Sequence, residues 1–150
     1  MLTRFVFAVT ALAFLLAPAP TLAAAVPVEG EGGPELYVAK VHADWCGSCQ
    51  TLVPILEEVR AAVADEPVLF VQLDVTDSTR TAQARLLAAA LGVEEHLKAN
   101  NKTGLVLLID AGDKSLLETV TKKNTAAEIV GKIEERLAAA QARRDESAPE

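Results

Sequence analysis

Aromatic side chains are scarce in this 150-residue chain, which has one Trp, one Tyr and four Phe. Phe5, Phe7 and Phe14 fall in the first 14 positions, so only Tyr37, Trp45 and Phe70 remain for the rest. A core built beyond that point must be aliphatic and alanine-rich. Basic residues are also in the minority: Lys and Arg total 14 against 21 acids, for a net charge of -7. No positive field exists to displace counterions from a phosphate backbone, so no nucleic-acid partner is expected. Two cysteines and two histidines are too few for a multi-disulfide scaffold, and their spacings match no common zinc pattern. No metal site and no bound cofactor are expected. Proline is absent from Val68 through Ala148. What is present, 51% hydrophobic and 23% charged residues in 15.8 kDa, fits one globular domain rather than a disordered tail or a repeat. Function must come from very few reactive side chains.

Residues 1–25 read as a cleavable secretory signal. Arg4 supplies the positive start, and Phe5 to Ala17 is an uncharged apolar stretch. Pro18 and Pro20 end it, and Ala23-Ala24-Ala25 offers the small residues of a cleavage site. The apolar stretch is too short to span a bilayer comfortably, so no stable membrane insertion is expected after cleavage. The expected location is periplasmic or secreted, where disulfides persist. Residues 26–35, rich in Gly, Pro and Glu, read as a linker.

A folded domain is expected over residues 36–140. Leu36 to His42 is short and mostly apolar, as in a strand covered on both faces. After it comes Trp45-Cys46-Gly47-Ser48-Cys49, then Leu52, Leu56, Val59 and Val63 at helical spacing until Asp65-Glu66-Pro67. Val68 to Val75 is a second strand. Thr76 to Thr79 caps a second helix whose apolar line reads as Ala82, Leu86 and Ala90, with Gly92 as its C-terminal cap. Leu105 to Ile109 and Leu116 to Thr121 form a hairpin around Asp110-Ala111-Gly112-Asp113. Thr125 and Glu128 have capping-box spacing before a last helix with Ile129, Ile133 and Leu137 on one face. Residues 141–150 read as a frayed polar tail. The expected class is α/β, in the order β-α-β-α-β-β-α.

The chemistry concentrates in Cys46 and Cys49. Two intervening residues let both sulfurs meet at a helix start. A thiolate at Cys46 would lie at the positive end of the helix dipole, which lowers its pKa from about 8.5 and makes it a nucleophile. Cys49, one turn in, should be less exposed. Cys46 would then attack a partner disulfide and Cys49 would resolve the mixed disulfide.

Ala43-Asp44-Trp45-Cys46-Gly47-Ser48-Cys49, with Pro54 five residues further on, resembles the thioredoxin-like superfamily, and the element order is similar to that family's minimal fold. The resemblance implies a mixed four-stranded sheet flanked by helices, without the N-terminal strand and helix of the full-length family. It implies exchange with cysteine-containing proteins, and a membrane electron donor if an exported protein acts as a reductant. Trp45 would flank the cysteine pair, with Gly47 and Ser48 between the sulfurs tuning them.

Two positions depart from the family pattern. Where the family has a cis-proline lining the partner groove, this chain has Thr103-Gly104, expected to be trans or glycine-shaped because a cis bond without proline costs about 3 kcal/mol. Six residues before Cys46, where the family has a buried aspartate, stands Lys40. A charged Lys40 near the sulfurs would stabilise a thiolate, a neutral one could serve Cys49 as a base, and one that snorkels to the surface would do neither. His42 could tune the thiols or join them in a metal site, although packing is the commoner role. His96, beside Glu94 and Glu95, reads as a surface residue. Glu57, Glu58, Asp65 and Glu66 read as a solvated helix face.

The leading expectation is an exported thiol–disulfide oxidoreductase that exchanges the Cys46/Cys49 pair with partner cysteines; its direction stays open, the C-G-S-C spacing favouring a periplasmic reductase or exchange protein and Lys40 pulling the other way. The other is a thioredoxin-fold binding module whose cysteines hold a metal or a regulatory disulfide.

Overall fold

A computed structural model describes residues 32–100 and 102–147. The signal read at 1–25 and positions 26–31 of the linker lie outside these residues. The elements run β1 (Leu36–His42), α1 (Gly47–Ala62), β2 (Val68–Asp74), α2 (Ser78–Ala90), α3 (Glu94–Ala99), β3 (Leu105–Asp110), β4 (Leu116–Thr121) and α4 (Ala126–Ser147).

The four strands form one mixed sheet in the order β2-β1-β3-β4. β1 pairs parallel with β2, Lys40 opposite Gln72, and antiparallel with β3, Lys40 opposite Val106. β4 pairs antiparallel with β3, completing the hairpin. β1 is thus central, and all seven of its residues are buried. Alternation sends Leu36 and Val38 to a core with Leu52 and Val59 of α1 and Ile129, Ile133 and Leu137 of α4. Tyr37, Ala39 and Val41 face the other core, with Leu73, Ala84, Ala88, Val93 and Leu97. The α/β class and the mixed four-stranded sheet flanked by helices are as the sequence predicts.

Local chemistry explains the boundaries. The Asp77 carboxylate accepts from the Arg80 N–H at the start of α2. The Thr125 hydroxyl accepts from the Glu128 N–H while the Glu128 carboxylate accepts from the Thr125 N–H, a reciprocal box at the start of α4. Gly92, at φ +73°, takes the left-handed conformation that ends α2. The Asp110 carboxylate accepts from the N–H groups of Gly112 and Asp113 and shapes the hairpin turn.

Three expectations fail. An additional helix, α3, lies between α2 and β3. Its six residues are too few for a hydrophobic period; Leu97 is its buried anchor, and Lys98 pairs with Glu94 and Glu95. The buried line of α2 is Ala84 and Ala88, while Leu86 is 73% exposed. Alanine at many positions of this helix permits several apolar phases, and packing selects the small residues. Finally, α4 runs to Ser147, past the expected start of a frayed tail at 141. Arg143, in that extension, pairs with the carboxylate of buried Asp110.

Candidate active site

Cys46 is the N-cap of α1, with extended backbone (φ -92°, ψ 105°). Its sulfur accepts the Cys49 N–H at 3.2 Å, and its carbonyl accepts from the N–H groups of Cys49 and Gln50. The first helical turn thus directs its unpaired donors at this sulfur. Both cysteines are free thiols. Cys46 retains 8% exposure and Cys49 none. The Cys49 thiol points back to the Val41 carbonyl at 3.7 Å. Ala43, Cys46 and Cys49 form a small cluster against which Val75 packs.

The two thiols are driven apart in acidity. Desolvation acts to raise the Cys46 pKa, but hydrogen bonding from the Cys49 thiol, the Thr103 side chain and the N–H groups of Cys49 and Ser48 outweighs it, and the net shift is downward. Burial pushes the Cys49 thiol up, and its hydrogen bond to Cys46 adds to the rise; the Lys40 charge pulls weakly the other way. One sulfur is set to ionise and the other to hold its proton.

The Thr103-Gly104 loop lies against this pair. Its glycine-shaped form is as the sequence predicts: Gly104 has φ +79°, and no described peptide bond is cis. The Gly104 N–H donates to the Val41 carbonyl at 2.9 Å. A Cβ at Gly104 would stand 2.7 Å from the Ser48 Cβ and 3.5 Å from the Cys46 sulfur. Gly47 is exposed and Ser48 half-buried. Thr103, expected only as groove lining, also tunes the Cys46 thiol.

Trp45 is 68% exposed, with its indole N–H bonded to the Thr76 carbonyl at 3.1 Å. Around it runs a polar network that spacing along the sequence does not reveal. The Thr76 hydroxyl accepts the Asp44 N–H and donates to Asp74 at 2.6 Å, while Arg80 bridges the carboxylates of Asp44 and Asp74. The Arg80 hydrogen bond, then that of His42, holds the Asp44 carboxyl below the usual range. The only hint in the sequence was the cap-rich run at Thr76.

His42 belongs to this network. It is 7% exposed, and its Nε2 lies 3.2 Å from Asp44 Oδ1. Among the described residues, the three-donor group that forms is His42, Asp44 and Asp74, not His42 with the two sulfurs. The metal site considered from the sequence is therefore not assembled, because the Asp44 carboxylate engages the imidazole. His96 is not a free surface residue either: it is half-buried, its Nε2 2.6 Å from the Lys114 carbonyl. Lys40 keeps only 7% exposure as a residue and lines a cleft beside α1. Glu57, Glu58, Asp65 and Glu66 are exposed, as expected.

Comparison with known proteins places these features. Residues 32–89 match the Thioredoxin family, a segment that carries both cysteines and ends before α3. The chain is 34% identical over 87 residues to a thioredoxin of Echinococcus granulosus, covering 53% of this chain and 79% of that protein. It is 28% identical over 68 residues to the chloroplastic thioredoxin F of Oryza sativa subsp. japonica, spanning 45% of this chain and a smaller share, 33%, of that longer protein. Among solved structures it is similar to a thiol:disulfide interchange protein of Chlorobium tepidum TLS, with 18% identity and a TM-score of 0.48 over 69% of this chain and 80% of that one.

Proposed function

This chain belongs to the thioredoxin family, a family of thiol–disulfide oxidoreductases that act on cysteine-containing proteins, and on that premise we propose that it is an exported member that reduces partner disulfides through Cys46 and Cys49. The observation that carries this reading is the placement of the two thiols: Cys46 caps α1 with its sulfur accepting the Cys49 N–H, and Cys49 is fully buried behind it.

The chemistry follows from that division. The Cys46 thiolate attacks one sulfur of a partner disulfide and forms a mixed disulfide, and the other partner sulfur leaves as a thiolate that takes up a proton. Cys49 then loses its proton and attacks the Cys46 sulfur. The Cys46–Cys49 disulfide forms and the partner leaves reduced. In the thiol state, contact with Cys49 and Thr103 prepares Cys46 for the first attack. Burial of Cys49 keeps it from competing as the entry nucleophile.

The exported setting rests on Arg4, the apolar run to Ala17 and the alanines ending at Ala25. Turnover there requires a membrane electron donor to reduce the pair again. Trp45 and the Thr103-Gly104 loop border the entry sulfur and would frame the partner segment. Insulin reduction with a dithiol donor tests the exchange, using Cys46→Ser and Cys49→Ser as controls. The wild type is expected to outpace both variants, and turnover no faster than theirs would overturn the reading. N-terminal sequencing of protein recovered from the export compartment tests the location, with a start near Val26 expected.

A further inference from the structure

Lys40 places a cation on the central strand with no ion-pair partner among the described residues. It sits on the central strand with 7% exposure, and makes no hydrogen bond or ion pair among the described residues. With no bonded partner, this lysine can act on neighbouring groups only through space. It lines an open cleft of about 260 Å³ whose other walls include Val53, Leu56 and Glu57 of α1 and Gln72 of β2. Val53 lies one helical turn beyond Cys49, on the same side of α1. Val41, the residue after Lys40, supplies the carbonyl to which the Cys49 thiol points. The lysine and the resolving sulfur therefore share the narrow layer between β1 and α1.

We propose that Lys40 is a positioning residue for the second step of exchange, its ammonium acting through space from the cleft to favour the Cys49 thiolate. The proposal rests on the exchange reading given above. In that step the Cys49 proton passes to solvent, the thiolate attacks the Cys46 sulfur of the mixed disulfide, the Cys46–Cys49 bond forms, and the partner thiolate departs. A cation behind the attacking sulfur stabilises the anion that forms there. The direction of its influence on Cys49 agrees, since the Lys40 charge opposes the upward push of burial. The charged groups facing Lys40 in the cleft are Glu57 and Arg60 of α1; β2 contributes neutral Gln72, and β3 places Val106 beside it. His42 follows two residues on along β1, with its imidazole engaged by Asp44.

A chromogenic mixed disulfide between Cys46 and 5-thio-2-nitrobenzoate isolates this step, because attack by Cys49 releases the coloured thiolate. Release is followed from pH 6 to 10 in the wild type and in Lys40→Met, Lys40→Gln and Lys40→Arg, with folding checked by circular dichroism. Met is near in size and removes the charge, and Gln is read beside it so that one folded neutral variant suffices. A neutral variant is expected to release roughly three- to tenfold more slowly near pH 7, the size of a shift of half to one pK unit. Its inflection should move to higher pH, its rate should converge with wild type once Cys49 is ionised in both, and its disulfide should become less oxidising. Lys40→Arg, which keeps the charge, should stay near wild type. A folded neutral variant with the wild-type rate and inflection would overturn the proposal, as would an arginine variant as slow as the neutral ones. A wild type that releases nothing would instead overturn the exchange reading on which the lysine's role depends.

Discussion

Gly104 stands so close to Ser48 that a methyl group on the glycine would lie 2.7 Å from the serine Cβ. This contact joins the loop before β3 to the residue between the two cysteines, and the Gly104 N–H secures it by donating to the Val41 carbonyl. The loop is thereby fixed against Cys46 without a proline.

Gly104→Ala therefore meets two penalties. The backbone sits at φ +79°, where a Cβ costs about 1–2 kcal/mol, and the new methyl collides with Ser48. We expect a loss of about 1–3 kcal/mol in urea unfolding. Adding Ser48→Gly should restore the steric part and leave the backbone part. A single variant as stable as wild type would contradict the close approach.

Thr103→Val removes a hydrogen-bonding side chain from the Cys46 sulfur while keeping its shape. The Cys46 pKa should rise, so alkylation near pH 7 slows, and the two proteins should react alike at high pH. The pH profile of iodoacetamide labelling in a Cys49→Ser background reads this directly. Superimposable profiles would remove Thr103 from the tuning of the site.

The reduced protein should have a stability that depends on pH in two opposed ways. The Cys46 pKa is depressed on folding, so its contribution is fully present above the unfolded thiol value, about 8.5, and is lost as pH falls through the depressed value. The Cys49 pKa is raised, so folding is penalised as pH climbs past about 8.5 toward that higher value. Urea midpoints of the reduced wild type should rise up to that pH and then fall. Cys49→Ser should retain the rise and lose the fall. A flat profile in both proteins would contradict the opposed shifts.

Much of this architecture is legible in the sequence. Leu36 to His42 contains no break and little polarity, which is what a central strand requires, and Thr125 with Glu128 marked the start of α4. Cys46 and Cys49 were legible because their spacing and their place between strand and helix are local features. Burial of Lys40 follows from β1 being central, yet one lysine in an apolar strand reads equally well as a snorkelling side chain. The bridge from Arg80 to Asp44 spans 36 residues, and no periodicity signals such a contact. Helix α3 leaves no trace in the sequence because one buried leucine in six residues makes no pattern. The phase of α2 is not legible because alanines mark no single face.

The most direct measurement is the rate at which Cys46 reacts with iodoacetamide across pH in the folded, reduced protein, with Cys49 replaced by serine. We predict an inflection clearly below the ordinary thiol value of about 8.5 and rapid labelling at neutral pH. An inflection at or above that value, or labelling that appears only on unfolding, would show that Cys46 is not the entry nucleophile.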